Sequence, residues 1–168
     1  MSLVGFKARN HRQQVARRGP RPDVDERGTD PAFFSELDRR FQFTLDVAAL
    51  PHNATLPRFL TPNEDGLARS WAGERVWCNP PYSDLEPWVV KAWGEADHAP
   101  LIVLLLPGNR TEQDWWQRLI EPFRDRPGSR LRIEFLRGRL RFINRGRSVI
   151  GPNERPPFGC CLAIWKAA

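Results

Sequence analysis

The chain has 168 residues, with 26 Lys and Arg against 20 Asp and Glu for a formal charge of +6, and it is 40% hydrophobic and 27% charged. That is the length of one domain with room for a core, and the composition excludes a wholly disordered or collagen-like chain. No apolar run approaches the ~18 residues that cross a bilayer and the start lacks a signal peptide's apolar centre, so a soluble, cytoplasmic protein is expected.

Residues 1–29 read as a basic, disordered arm, because Arg17-Arg18-Gly19-Pro20-Arg21-Pro22 suits neither helix nor strand. The folded domain is expected over 30–168. It opens with Asp30-Pro31 as the cap and first turn of a short helix whose apolar face carries Phe33, Phe34, Leu37 and Phe41. Phe43–Val47 and Arg75–Cys78 follow as strands, the second stopped by Pro80-Pro81. Ser83-x-x-Glu86 has the form of a capping box, and Trp88, Val89, Ala92, Trp93 and Ala96 then recur at helical spacing, predicting a helix over 85–97. The unbroken aliphatic run Leu101–Leu106 predicts a central strand buried on both faces. Thr111-x-x-Asp114 suggests the cap of another helix, with Trp115, Trp116, Leu119 and Ile120 facing the sheet and Pro122 ending it. Leu131–Leu136, Leu140–Ile143 and Cys160–Trp165 read as strands. Strands that alternate with helices imply parallel pairing, so the expected fold is a three-layer α/β sheet, mixed, with an antiparallel C-terminal edge.

Charge is unevenly placed. Residues 124–155 carry ten arginines against Asp125, Glu134 and Glu154, whereas residues 31–123 are net acidic. Arg137, Arg139 and Arg141 alternate with Leu136, Leu140 and Phe142, so an extended segment would separate cations from apolar side chains. Arg145 and Arg147 continue into a Gly- and Pro-containing stretch. These cations are either phosphate anchors or a solvated basic face. Arg110, after the central strand, is a further candidate for a phosphate. The scattered histidines His11, His52 and His98 complete no zinc motif, and Cys78, Cys160 and Cys161 do not suggest a disulfide framework.

The most informative segment is Asn79-Pro80-Pro81-Tyr82, directly after the strand Arg75–Cys78, since open α/β sheets bind ligands at the carboxyl ends of their strands. Strand-NPPY-helix resembles the signature of amino-methyltransferases, S-adenosylmethionine enzymes that methylate planar amino or amide nitrogens. Such a nitrogen is a poor nucleophile because its lone pair is delocalised. A side-chain carbonyl from Asn79 and the backbone carbonyl of Pro80 can each accept one N–H and draw that pair out. Pro80 and Pro81 hold the turn rigid, and Tyr82 offers a ring on which an extruded base stacks.

The resemblance extends further. Leu45-Asp46-Val47-Ala48-Ala49, Asn53-Ala54, Asp65-Gly66-Leu67, Trp71 and Val76 to Ser83 stand in order, followed by Trp88-Val89, Leu104 to Pro107, Trp115-Trp116, Gly138-Arg139-Leu140 and Pro157-Phe158. This ordered set is similar to the phage-type DNA N-6-adenine methyltransferase family over roughly residues 40–166. The resemblance implies a Rossmann-like S-adenosylmethionine-dependent fold, methyl transfer to the 6-amino nitrogen of adenine in double-stranded DNA, and a phage or prophage origin in a bacterial host. It implies cofactor contacts from Asp46 and Ala48 and from Asp65 and Gly66. Read without it, Asp46 caps a helix or turn and Asp65-Gly66 is an ordinary turn. The tryptophans read mainly as helix faces packed on the sheet, with Trp71 or Trp77 as candidates to line the cofactor pocket. The departure is that residues 41–60 hold no glycine-rich loop. Two alternatives share the signature: a protein glutamine amide methyltransferase, which resembles chains with a helical substrate domain in front, and a catalytically inactive DNA-binding module of this fold. With no separate recognition domain visible, base reading falls to loops or DNA shape.

Overall fold

The computed structural model describes residues 28–143 and 158–167. In chain order the elements are β1 (Gly28–Thr29), α1 (Pro31–Phe41), β2 (Leu45–Asp46), β3 (Arg75–Cys78), α2 (Glu86–Glu95), β4 (Leu101–Pro107), α3 (Asp114–Leu119), β5 (Leu131–Phe135), β6 (Phe142–Ile143) and β7 (Cys160–Lys166). The main sheet is five-stranded in the order β2-β3-β4-β7-β5. β2, β3 and β4 pair in parallel, and β7 runs antiparallel between β4 and β5. The fold is therefore α/β with a mixed sheet.

Two apolar clusters sandwich this sheet, because successive strand residues face opposite sides. Val76 and Cys78 of β3 join Val89 and Ala92 of α2 and Trp115 and Trp116 of α3, while Trp77 joins Phe34, Leu37 and Phe41 of α1. β4 is central and every one of its residues is buried, as its aliphatic run requires.

Two capping expectations fail for a local reason. Asp30 does cap α1, its Oδ1 accepting from the N–H groups of Ala32 at 2.9 Å and Phe33 at 3.1 Å. Ser83 does not cap α2, which begins at Glu86 after Leu85. A start at Ser83 would put Pro87 in the fourth helical position, where its missing N–H and its ring conflict with the Ser83 carbonyl; starting later leaves Pro87 in the tolerant first turn. Nor does Thr111 cap α3. Residues 110–113 close as a turn, with the Gln113 N–H bonded to the Arg110 carbonyl at 3.1 Å, and the helix begins one step on.

The expected antiparallel C-terminal edge is also corrected. The antiparallel strand β7 lies inside the sheet, where its six buried residues Cys160 to Trp165 need a neighbour on each side, and the edge is β5, which runs with β4. β6 leaves the main sheet and pairs instead with β1, Thr29 opposite Phe142. Gly28 and Thr29, placed in the arm by composition, are thus buried strand residues. Residues 1–27 of the arm and the stretch 144–157, with Arg145 and Arg147, lie outside the described residues.

Candidate active site

Asn79 follows the last residue of β3, so the turn Asn79-Pro80-Pro81 stands at the carboxyl end of two parallel strands. Asn79 and Pro81 line a cleft of about 640 Å³, together with Ala48, Asp65 and Gly66. Leu60, Leu67 and Trp88 form much of its apolar wall. Pro80 is buried beside the cleft. Residues as far apart in the chain as Val47 and Trp88 thus converge on one crevice.

Gly66 explains how the wall closes. Its backbone packs so tightly on Val47 that a Cβ would overlap the Val47 carbonyl oxygen, and the same Cβ would stand 3.2 Å from the Trp88 ring. Beside it Asp65 is exposed at the cleft rim with a left-handed backbone, φ 53°. Its Oδ1 accepts from the N–H groups of Leu67 at 3.1 Å and Ala68 at 3.3 Å. Oδ2 has no partner among the described residues.

Asp46 is placed differently from the expectation. It does not line the main cleft but faces a small polar pocket behind it, shared with Ala48, Asn53, Trp77 and Asn79. The carboxylate is 2% exposed. It accepts from the Thr55 hydroxyl at 2.7 Å, the Thr55 N–H at 3.1 Å and the Ala48 N–H at 3.3 Å. Burial raises its proton affinity above the ordinary carboxylate range, and those hydrogen bonds oppose the rise. Asp46 therefore pins the segment that floors the cleft, which is the turn-capping reading.

Tyr82 sits outside the cleft in an aromatic niche, 5.8 Å from the Phe142 ring and 6.1 Å from the Phe158 ring. Its hydroxyl lies 3.9 Å from Cys160 Sγ, and burial raises it well above the usual phenol range, so it stays neutral. Cys78, next to Asn79, is fully buried and its thiol is pushed up, first by burial and then by the Asp46 charge, which suits a packing residue rather than a nucleophile.

Among the basic candidates, Arg137, Arg139 and Arg141 are exposed, while Leu136 and Leu140 pack on the α1-side core and Phe142 is buried. Within this segment Gly138 has a left-handed backbone, φ 78°, which glycine adopts freely. Arg110 is buried at 9% exposure, withdrawn from the surface a phosphate would meet. Trp71 and Trp77 are fully buried and line no part of the main cleft. The tryptophan that does is Trp88, which sequence reasoning assigned to a packing face. A signal was available: a helix that follows a parallel strand begins at the strand's carboxyl end, and Trp88 lies in the first turn of α2.

Among the described residues no helix is long and apolar enough to cross a membrane, and no group of His, Cys, Asp and Glu is arranged to hold a metal ion. The family described as DNA N-6-adenine-methyltransferase (Dam) matches residues 18–167. A DNA N-6-adenine-methyltransferase of Haemophilus phage HP1 is 35% identical over 74 residues, covering 44% of this chain and 43% of that protein. One of Escherichia phage T1 is 34% identical over 77 residues, covering 45% of this chain and 32% of that protein. The match thus spans less than half the length of these curated relatives.

Proposed function

The chain belongs to the DNA N-6-adenine-methyltransferase (Dam) family, and on that premise we propose that it moves a methyl group from S-adenosylmethionine to the 6-amino nitrogen of adenine in double-stranded DNA. The observation that carries the proposal is Asn79-Pro80-Pro81 at the carboxyl end of β3, opening on a cleft that also gathers Ala48, Asp65 and Gly66. The parallel β2-β3-β4 half supports a Rossmann-like methyltransferase fold, in one domain that takes in β1 ahead of the expected start at residue 30.

The cleft suits a nucleoside-sized cofactor. About 640 Å³ falls within the usual range for small-molecule sites, the walls are largely apolar, and Gly66 lets the backbone and the Trp88 ring come close together. Asp65 is positioned to accept an N–H from the cofactor's adenine through Oδ2, with Trp88 beside it as a ring surface. Asp46 acts through Ala48 and Thr55 as a positioning residue. S-adenosylmethionine supplies the methyl group on an electrophilic sulfonium.

The remaining work falls to the protein. The Asn79 carbonyl and the Pro80 carbonyl each accept one N–H of the target amino group, which concentrates its lone pair on nitrogen and aims it at the cleft. Tyr82 supports the extruded base through its ring. The exposed Arg137, Arg139 and Arg141 hold phosphates. Transfer of a tritiated methyl group to unmethylated DNA, with a protein extract as control substrate, tests the reading. Label entering protein alone, or neither substrate, would overturn it.

Asp65→Ala is expected to raise the cofactor dissociation constant about tenfold, the loss of one charge-assisted hydrogen bond worth ~1.5 kcal/mol. Calorimetric titration measures it, and unchanged affinity would remove Asp65 from the pocket. Tyr82→Phe should keep turnover within about twofold of the parent, because the hydroxyl has only a long contact to sulfur, whereas Tyr82→Ala should cost about tenfold or more through lost stacking. Similar losses in both variants would point to the hydroxyl instead.

A further inference from the structure

The edge strand β5 breaks its own burial pattern at its carboxyl end. Leu131, Ile133 and Phe135 share one face by alternation, yet the first two are buried and Phe135 is 57% exposed. Among the described residues Val90 and Phe123 are the other exposed large apolar side chains, and Phe123 packs its ring 5.0 Å from that of Trp93.

The position of Phe135 gives its exposure a meaning. β5 and β4 are each antiparallel to β7, so β5 runs with β3 and β4, and Phe135 stands at the same end of the sheet as Asn79. Three strand intervals of ~4.8 Å separate β5 from β3, about 14 Å across the sheet. The ring borders Gly108, the residue after β4, where a Cβ would stand 3.8 Å from it. Exposed Arg137, Arg139 and Arg141 follow directly. An exposed ring therefore lies at the same end of the sheet as the candidate active site, at the start of a cationic segment that runs back to Phe142 beside Tyr82.

Resting on the DNA adenine methyltransferase reading, we infer that Phe135 is a wedge that enters the duplex at the step vacated by the target adenine, with Arg137 and Arg139 on the flanking phosphates. A stacked adenine cannot bring its amino group to Asn79, so the base must leave the helix. An apolar ring in the gap replaces part of the lost stacking and opposes the base's return. Carrying no hydrogen-bonding group, the ring does this without reading sequence.

The test is single-turnover methylation of a duplex containing an adenine that the parent protein methylates. That adenine is paired with thymine in one duplex and placed opposite an abasic site in another. Phe135→Ala is expected to slow transfer about tenfold or more on the paired duplex and to recover to within about twofold of the parent on the unpaired one, where extrusion is already cheap. Phe135→Trp should keep the parent's rate on both, and cofactor affinity should be unchanged in both variants. Equal slowing on the two duplexes, or no slowing on the paired one, would overturn the wedge. A parent protein that methylates protein but not DNA would instead overturn the reading beneath it.

Discussion

Asn79→Ala is expected to lower the rate of methyl transfer by about 10²–10³-fold or more while leaving cofactor affinity within a few-fold of the parent. The asymmetry follows from where the residue stands. Asn79 follows the last residue of β3 and lines both the cleft and the smaller pocket behind it, next to the rigid Pro80-Pro81 turn. Its amide is assigned to the amino group of the target base, whose lone pair becomes reactive only when the N–H bonds point at fixed acceptors. Removing one acceptor therefore acts on the transition state and not on the ground-state complex. Single-turnover kinetics together with calorimetric cofactor titration check this. Cofactor affinity that collapses while turnover survives would move Asn79 to the cofactor side of the cleft.

Gly66→Ala should be the most damaging single methyl group in the cleft. Its Cβ would overlap the Val47 carbonyl oxygen, a backbone atom that cannot rotate away, and would press on the Trp88 ring at 3.2 Å. Gly66 also accepts the Trp71 indole N–H at 2.9 Å, so the segment is held from both sides. Overpacking of this kind costs ~1–3 kcal/mol or more. For a chain of this size that lowers the melting temperature by roughly 3–10 °C. Because the displaced atoms are the cleft wall, cofactor affinity should fall with it. Thermal unfolding of Gly66→Ala and its cofactor titration test both halves. A melting temperature within a degree of the parent's would show that the loop accommodates the methyl group.

Several features were legible in the sequence because their causes are local. β3 has the limits read from Arg75–Cys78, since two prolines stop a strand whatever surrounds it. The aliphatic run of β4 demanded cover on both faces and so a central place. The position of Asn79-Pro80-Pro81 at a strand's carboxyl end followed from the same two facts. Capping boxes are also local signals, but at Ser83 a nearer signal, Pro87, outweighed the pattern.

Other features depend on partners distant in the chain, and no periodicity reports them. β7 enters between β4 and β5 because its own buried residues need two neighbours, and a sequence states that need without naming the strands that meet it. Asp46 turned away from the main cleft because Thr55 and Ala48, brought round by the loop, satisfied its carboxylate. Trp88 became a cleft wall through the approach of Gly66, and Phe135 stayed exposed because the cover over Leu131 and Ile133 does not reach the end of β5. By itself the sequence determined where the strands of the main sheet lie, the proline turn and the residue types available for chemistry, since dihedral limits and solvent aversion act within a few residues; the short strand β1 it did not show. Only the tertiary structure decided which side chains face the cleft, because orientation is set by packing against segments that are neighbours in space alone.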